Sequence, residues 1–424
     1  MAVREDHRML TGTSGVSADA IEVGGRPPRA TVIVYRLNDR GGAERSTVLF
    51  LERLARSEFE TRVLVLTGEC SFRSRPELEA LGMRFVEIHD RWPGRARVVV
   101  SDLWRHPPDL VHTTLFGSDA LGRLAAPLAG APAMVSVVNM QYAPEAMAVA
   151  PSPRRLALVR AVDRALSRHL TSAFHALTAA GARYAVAQLG ADPTRILVAG
   201  RGRELDRFLA EPAAGAAVRA ELGIAPDAPV IVNLARQEPQ KGQNLLLEAM
   251  ARLRERHPDV VLLVAGREGT ATPELQEISA RLDLGATVRF LGVRDDVPAL
   301  LAAADVFVSS ARYEGFGGAV LEAMASATPI VGFDIGPVRE VLGGTGALVP
   351  LGDVEGLADG LAEVIEDPAL ARSMGEAGLA EATRRFSADV AAARLVGIYR
   401  RVVSDPEQFP RPWITRKIAR VRPR

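Results

Sequence analysis

The segment EGFGGAVLEAMASATPIVGFDIGPVREVL, residues 314–342, predicts a glycine-rich turn that leads into a helix and then into a buried strand. The turn, residues 315–318, has small residues that let backbone N–H groups approach an anionic ligand. The AVLEAMASA run after it consists mostly of good helix formers. Because free N–H groups and the macrodipole at a helix N-terminus attract phosphate, the turn is a candidate phosphate site.

Two carboxylates, Glu314 and Glu322, flank this turn, and the second lies roughly two helical turns from the first. They do not suit phosphate alone, because like charges repel. They suit a ligand with a phosphate in the middle and hydroxyl groups on either side, because carboxylates accept hydrogen bonds from hydroxyls. A nucleotide sugar has this shape.

Buried strands alternate with helical stretches along the chain. Strands are predicted at 31–35, 61–67, 83–88, 110–114 and 133–139, and again at 229–236, 260–267, 287–292, 306–310 and 329–333. Predicted helices include 43–57, 151–175, 355–366, 368–385 and 387–403. This alternation predicts an α/β fold with parallel sheets. Since the pattern restarts near residue 210, we expect two doubly wound, Rossmann-like domains that face each other across a cleft.

Composition excludes several classes of protein. With 48% hydrophobic and 24% charged residues the chain is globular, and no window reaches the roughly 18 apolar residues of a membrane span. A net charge of +1 is far from that of a nucleic-acid-binding protein. The lone Cys70 excludes a disulfide framework and fits a cytoplasmic protein, and the histidines show no metal-ligand spacing. Residues 1–28 carry early charges without an apolar segment, which predicts a disordered tail and no signal peptide.

An ordered set of motifs closely resembles glycosyltransferase family 4, whose members are retaining enzymes with the GT-B fold. The motifs are EGFG with LEAMA (314–325), ARQEPQKGQNLLLEAM (235–250), VRFLGVRDDVPALLAAADVFVSS (288–310) and, more loosely, LNDRGGAER (37–45) and PDLVHTTLFGSDALGRLAA (108–126). The resemblance covers about residues 30–403. It implies an acceptor-side domain at 29–208, a nucleotide-sugar donor domain at 209–386, a helix at 387–404 that packs back on the first domain, and a basic tail at 405–424.

The resemblance also implies roles for residues of the donor domain. Arg236 and Lys241 match the basic pair that grips the donor diphosphate, where two cations stabilise the charge of the leaving group. Only Lys241 and Lys417 are lysines among 52 basic residues, so a lysine here stands against a strong arginine bias. Glu314 would bind hydroxyls of the transferred sugar, and Glu322 both ribose hydroxyls. The other implied donor contacts are the backbone N–H groups of Phe316, Gly317 and Gly318, and the base-contacting loop with Val293 and Arg294.

On the acceptor side, Gly41 and Gly42 match the glycine loop that approaches donor and acceptor. Many family members have a histidine just after the strand equivalent to residues 133–139, close to the reacting sugar. Asn139 occupies that position here. Asparagine can bond a sugar hydroxyl but does not titrate near neutral pH. Because the leaving phosphate is thought to take the acceptor proton in this family, the change affects the choice of donor sugar more than the class of reaction.

The implied function is retaining transfer of a sugar from a UDP-sugar or GDP-sugar to an acceptor hydroxyl, without a metal or other cofactor. Cell-envelope glycans (as in polysaccharide biosynthesis), glycolipids and small metabolites are candidate acceptors, and no nucleic acid is expected. A helical stripe, Arg160/Arg164/Arg168, and the tail at 411–424, with Trp413, five arginines and one lysine, could touch anionic lipids. Such contact would place the cytoplasmic enzyme at the inner face of the membrane.

Three other functions remain open from the sequence. A nucleotide-sugar epimerase of similar shape is disfavoured by the glutamate spacing and the Arg236/Lys241 pair. A non-catalytic protein that kept the nucleotide pocket would show no hydrolysis or transfer of the donor sugar. A nicotinamide oxidoreductase lacks a convincing G-x-G-x-x-G after an early strand, and NAD binding would revive it.

Overall fold

The computed structural model describes residues 20–38, 42–148, 150, 152–209 and 212–412, which divide into two compact units. Unit 1 extends to Ala143 and also contains Ser152–Gly202 and the chain from Ala388 onward. Unit 2 contains Pro144–Pro151 and Arg203–Ser387. The chain therefore leaves unit 1 after residue 202 and returns to it at 388, compared with predicted boundaries after 208 and 386.

The described residues form both kinds of regular element in alternation. The strands are β1 Arg29–Val34, β2 Leu37–Asn38, β3 Glu60–Val65, β4 Cys70–Ser71, β5 Arg84–Glu87, β6 Leu110–Thr114, β7 Ala133–Val137, β8 Ala173–Ala176, β9 Ile196–Val198, β10 Val230–Leu234, β11 Val261–Ala265, β12 Val288–Gly292, β13 Val306–Ser309, β14 Ile330–Phe333 and β15 Ala347–Val349. The α-helices are α1 Gly42–Leu54, α2 Arg75–Ala80, α3 Gly94–Arg105, α4 Phe116–Ala129, α5 Pro144–Ala148, α6 Pro153–Leu170, α7 Ala179–Tyr184, α8 Pro212–Glu221, α9 Gln243–Arg256, α10 Thr272–Arg281, α11 Val297–Ala303, α12 Gly318–Ala325, α13 Gly336–Leu342, α14 Val354–Glu366, α15 Pro368–Phe386 and α16 Ala388–Ser404.

Each unit is built on one large parallel sheet. In unit 1 the strand order is β5-β3-β1-β6-β7-β8-β9, and in unit 2 it is β12-β11-β10-β13-β14-β15. All of these strand pairs are parallel. In both sheets the chain runs outward from a central strand and then returns to the other side of it, which is the doubly wound topology. The predicted α/β class with two Rossmann-like domains is confirmed.

Helix α16 belongs to the core of unit 1, although it follows unit 2 in the sequence. Tyr399 is fully buried, and its ring meets the rings of Phe50 and Phe59 edge-on at centroid distances of 5.4 and 5.5 Å. Such aromatic contacts contribute beyond the apolar area that they bury. The first fold unit is therefore completed only by the last described helix of the chain.

One predicted boundary is wrong. The helix predicted over 151–175 ends at Leu170, and Ala173–Ala176 forms the buried strand β8. In the segment predicted as a disordered tail, 1–28, residues 1–19 lie outside the described residues, and Arg26 bonds both carboxylate oxygens of Asp109 at 2.8 and 3.0 Å. In the described ranges no helix is long and apolar enough to cross a membrane.

Candidate functional site

The candidate donor site begins at the switch point of the unit 2 sheet. The chain passes from β10 outward to β11 and β12 and then returns to β13, which pairs with β10. The loops after β10 and β13 thus leave the same edge of the sheet side by side, and ligands of such sheets bind where strand order reverses. The first loop carries Arg236 and Lys241, and the second carries Glu314.

Hydrogen bonds tie these two loops together. Gln240 Nε2 donates to the Tyr313 carbonyl at 2.9 Å, and the Arg312 N–H donates to the Gln240 carbonyl at 2.9 Å. Ser310 Oγ donates to the Lys241 carbonyl at 2.8 Å. The two loops are therefore held in one register.

Glycine at position 242 allows this close approach. Gly242 has a φ of 59°, and a Cβ there would lie 2.2 Å from the Ser310 carbonyl oxygen. Any other residue at 242 would have to adopt the unfavourable left-handed conformation, and its Cβ would clash with the Ser310 carbonyl oxygen. The QKG sequence after β10 therefore sets the distance between the loops.

Lys241 and Glu314 form an ion pair at this junction, with side chains 16% and 19% exposed. The ammonium has three donors and the carboxylate about four acceptor positions, so each group can bind a ligand while the pair persists. The structure thus brings together a predicted diphosphate-binding cation and a predicted sugar-binding carboxylate. Their roles toward a ligand remain predictions.

Arg236 follows β10 in the same loop as Lys241. Its side chain is 48% exposed, and Nη1 is 3.9 Å from Glu238 Oε1. Tyr313 precedes Glu314 in the chain, and its pKa is raised by burial and by the nearby carboxylate of Glu314. The Tyr313 phenol therefore stays neutral. Arg236 supplies a cationic side chain that is about half exposed to solvent.

The glycine-rich turn leads into α12 as predicted. Gly317 is the N-cap residue with a φ of 93°, and it has no side chain to occupy the N–H groups of the first turn. Phe316 is buried, and its ring packs edge-on against Phe386 at 5.5 Å. The Phe316 side chain therefore serves the core, which leaves only its backbone for the predicted ligand contact.

Glu322 pairs with a residue that sequence reasoning did not assign. Arg203 Nε donates to Glu322 Oε1 at 3.0 Å, and its side chain is only 3% exposed. No local signal marks the pair, because the two residues are far apart in the chain and in different elements.

The predicted base-contacting loop follows β12. Val293 is 71% exposed. Arg294 bonds Asp296 at 2.6 and 2.8 Å and Glu221 at 2.7 and 3.1 Å, and these hydrogen bonds raise its pKa. Since two carboxylates of unit 2 engage the guanidinium, Arg294 fixes the loop, and contact with a base through this loop remains a prediction.

In unit 1, Gly42 begins α1, and Gly41 lies outside the described residues. Asn139 follows β7 with an exposed side chain and borders a cavity of about 50 Å³. Its loop is anchored by Tyr142, whose hydroxyl donates to Asp163 Oδ2 at 3.1 Å. Asp163 in turn pairs at 2.6 Å with Arg123, which is 1% exposed. The loop that contains Asn139 is therefore anchored, at Tyr142, to a buried ion pair.

A buried hydrogen-bonded chain in unit 1 was also missed from the sequence. His112 Nδ1 lies 2.7 Å from the Tyr399 hydroxyl, and His112 Nε2 lies 2.7 Å from Ser136 Oγ, which is 3.0 Å from His175 Nδ1. Burial lowers the pKa of His112 well below its usual range and that of His175 to about 4. Both imidazoles are therefore neutral at physiological pH, and the chain fastens α16 to the sheet.

The part of the chain that the structure describes contains no group of three or more His, Cys, Asp or Glu residues that could hold a metal ion. The carboxylates of the candidate donor site are paired with cations: Glu314 with Lys241, and Glu322 with Arg203. Charges arranged in this way suit an anionic ligand with hydroxyl groups.

Comparisons with known proteins match both halves of the chain. The family model for glycosyl transferases group 1 matches residues 216–380, and that for the glycosyl transferase 4-like domain matches residues 41–202. A D-inositol 3-phosphate glycosyltransferase from Streptomyces scabiei (strain 87.22) is 33% identical over 323 residues, 71% of this chain and 70% of that protein. A protein of the same name from Kineococcus radiotolerans is 30% identical over 412 residues, 87% and 92% of the two chains. Among solved structures, Anabaena HepE in complex with UDP-glucose has a TM-score of 0.74 at 22% identity, covering 88% of this chain and 99% of that chain.

Proposed function

The chain belongs to the group 1 glycosyltransferases, family 4, and from this membership we propose that it transfers a hexose, with retention of configuration, from a UDP-hexose to an acceptor hydroxyl. The relatives are named as glycosyltransferases, and a solved structure of similar fold is a complex with UDP-glucose. Family membership does not favour an epimerase or a nicotinamide oxidoreductase. The charged residues of the candidate donor site, Lys241, Glu314 and Glu322, do not favour a non-catalytic binding protein.

One observation carries the proposal: Lys241 lies against Glu314 at the switch point of the unit 2 sheet, next to an uncapped helix start. A diphosphate at the start of α12 would meet the helix dipole and the ammonium of Lys241. A hexose attached to it would reach the carboxylate of Glu314, and ribose on the other side would reach Glu322. This sequence of partners fits a nucleoside diphosphate sugar from one end to the other.

In this proposal the protein lowers the barrier by electrostatics. When the bond between the sugar and the diphosphate breaks, negative charge grows on the leaving phosphate. Lys241 and Arg236 stabilise that charge while the acceptor oxygen bonds the anomeric carbon, and the leaving phosphate accepts the proton of the acceptor hydroxyl. Glu314 orients the sugar through its hydroxyls.

Donor binding is tested by a thermal-shift panel of UDP, GDP, ADP and their sugars. A ligand that binds only the folded protein stabilises it in proportion to the logarithm of concentration over dissociation constant. We expect UDP and UDP-hexoses to raise the midpoint most. Stabilisation by GDP-sugars alone would refute the UDP assignment, and stabilisation by none of them would refute the nucleotide-sugar function.

For the acceptor we propose a sugar or polyol hydroxyl of a cell-envelope glycan, a glycolipid or a small metabolite. The support comes from the names of the relatives, which include enzymes for inositol 3-phosphate. Transfer of radiolabelled hexose from the UDP-sugar to a panel of inositol phosphates, lipid extracts and oligosaccharides tests this. Label in nucleic acid or protein alone would contradict it.

We also propose weak contact of unit 1 with an anionic membrane at the cytoplasmic side. In the predicted stripe of α6, Arg160 bonds Gln188 at 3.1 Å, Arg164 bonds the Ala187 carbonyl at 3.4 Å, and Arg168 is exposed, so the stripe remains a candidate contact. The predicted tail lies largely outside the described residues.

Helix α3 provides another candidate surface for membrane contact, since Trp104 is 50% exposed beside the exposed Arg105. Co-sedimentation with phosphatidylglycerol vesicles should weaken in Trp104→Ser, and no binding by wild type would refute the contact.

A further inference from the structure

Glu322, the predicted ribose ligand, is held by a buried arginine. The distance from Arg203 Nε to Glu322 Oε1 is 3.0 Å, and the side chains are 3% and 19% exposed. Burying a guanidinium is costly unless a charge partner and hydrogen bonds offset the desolvation. The carboxylate of Glu322 therefore has a rigid neighbour on its Oε1 side.

The backbone of Arg203 is anchored as well. Its N–H donates to the Phe386 carbonyl at 3.0 Å, and it forms an isolated parallel bridge with Ser387. Phe386 in turn packs against Phe316 of the glycine-rich turn. The main chain at 203 is thus fixed to the end of α15, which restricts where the guanidinium can lie.

The space around the guanidinium is equally restricted. A Cβ added at Gly318 would lie 2.7 Å from Arg203 Nη2. Glycine at 318 therefore lets the guanidinium lie against the first residue of α12. A cation at a helix N-terminus opposes the macrodipole, so this position needs a compensating anion. Glu322, one turn further along α12, supplies it.

We propose that Arg203 is a positioning residue for ribose recognition. It binds Oε1 of Glu322 and turns the remaining acceptor positions of the carboxylate toward the 2′- and 3′-hydroxyls of the donor. This inference rests on the proposed function, because it requires a nucleoside diphosphate in the site. A carboxylate that is already oriented loses less conformational freedom on binding, and this difference appears as affinity for the ribose hydroxyls.

Isothermal titration of the full chain with UDP and with 2′-deoxy-UDP tests the positioning role. A hydrogen bond from a hydroxyl to a carboxylate predicts that wild type prefers UDP by about tenfold. In Arg203→Met the preference should fall from about tenfold toward one, because UDP loses two oriented hydroxyl contacts with Glu322 and 2′-deoxy-UDP loses only one. Gly318→Ala keeps both charges but displaces the guanidinium, so it should lower the preference in the same way.

Two further variants make the test specific. Arg256→Ala removes another ion-paired arginine of unit 2, one that bonds Glu366 on the surface, and it should keep the wild-type preference. In a Glu322→Gln background, Arg203→Met should cause no further change in preference, because Arg203 acts through Glu322. Circular dichroism establishes which variants fold. If Arg203→Met does not fold, Gly318→Ala tests the positioning role in its place.

Each contrary outcome has a distinct meaning. An equal loss of affinity for both nucleotides would show that Arg203 contacts the diphosphate itself, and this would overturn the positioning role. A preference that disappears in Glu322→Gln but persists in Arg203→Met and Gly318→Ala would also overturn it, while the proposed function would stand. A wild type that binds neither nucleotide would overturn both.

Discussion

Replacing Lys241 with alanine is the most informative change at the candidate donor site. The ammonium contacts Glu314, and both side chains are at least four-fifths buried, so water cannot fully replace the lost cation. Removing one donor that stabilises a growing negative charge costs about 3–4 kcal/mol in comparable enzyme sites. At 1.36 kcal/mol per tenfold change in rate, this predicts a kcat about 100 to 1,000 times lower.

The same substitution should weaken the fold without unfolding it. Exposed ion pairs contribute about 0–1 kcal/mol to stability, and removing one partner of a buried pair costs about 3–5 kcal/mol, so for side chains 16% and 19% exposed we expect an intermediate decrease. Release of UDP from UDP-glucose, measured at saturating donor, gives kcat, and urea unfolding gives stability. Arg256→Ala, which breaks a surface ion pair of the same unit, should change neither rate nor donor affinity. Wild-type turnover in Lys241→Ala would refute the role of this lysine in leaving-group stabilisation.

Four other changes test separate parts of the molecule. Glu314→Ala should lower donor turnover by about 100-fold, and the double variant with Lys241→Ala should lose less than the sum of the two free energies, because the residues are in contact; additive losses would show that they act independently. Gly242→Ala should lower both activity and the urea midpoint more than Gly223→Ala, since both residues have a positive φ near 60° but only the Cβ at 242 meets a backbone oxygen; equal effects would remove the steric argument. Chelation of divalent ions with EDTA should leave turnover unchanged, because the carboxylates of the site pair with Lys241 and Arg203; recovery of activity only with Mg²⁺ would contradict this. His175→Gln tests how the burial of His175 makes the stability of unit 1 depend on pH. In the unfolded chain His175 takes up a proton near pH 6.5, but in the native protein only near pH 4. The free energy of unfolding of wild type, relative to the variant, should therefore fall by about 3 kcal/mol as pH falls through this window. Urea unfolding followed by the fluorescence of Trp92 and Trp104, which lie in unit 1, measures it, and a pH-independent difference would refute the neutral buried state.

Much of the fold follows from local sequence patterns. All ten predicted strands are present, because each is a run of β-branched and aliphatic residues long enough to be recognised as buried. Strand β8, with the sequence Ala-Phe-His-Ala, was assigned to a helix because it contains no β-branched residue and follows a helical stretch directly. Strands β9 and β15 were not predicted, because a run of three residues is too short to show the periodicity of a strand.

The candidate site was only partly predictable. Lys241, Glu314 and Glu322 could be predicted because they stand in the motifs QKG, EGFG and LEAMA, which resemble those of the family. Arg203 could not be assigned, because its partner lies more than a hundred residues away in sequence. The same limit applies to the Tyr399–His112–Ser136–His175 chain, whose members come from four separate elements and meet only in the folded unit.

The most direct measurement is the anomeric configuration of the glucose that wild-type protein first releases from UDP-glucose by hydrolysis, followed by proton NMR before mutarotation. The donor carries glucose in the α configuration, so retaining transfer at the site of Lys241, Glu314 and Glu322 predicts α-glucose as the first product. Release that depends on Lys241 would place the reaction at this site. First release of β-glucose, or no release of UDP at all, would contradict a retaining glycosyltransferase that uses this donor.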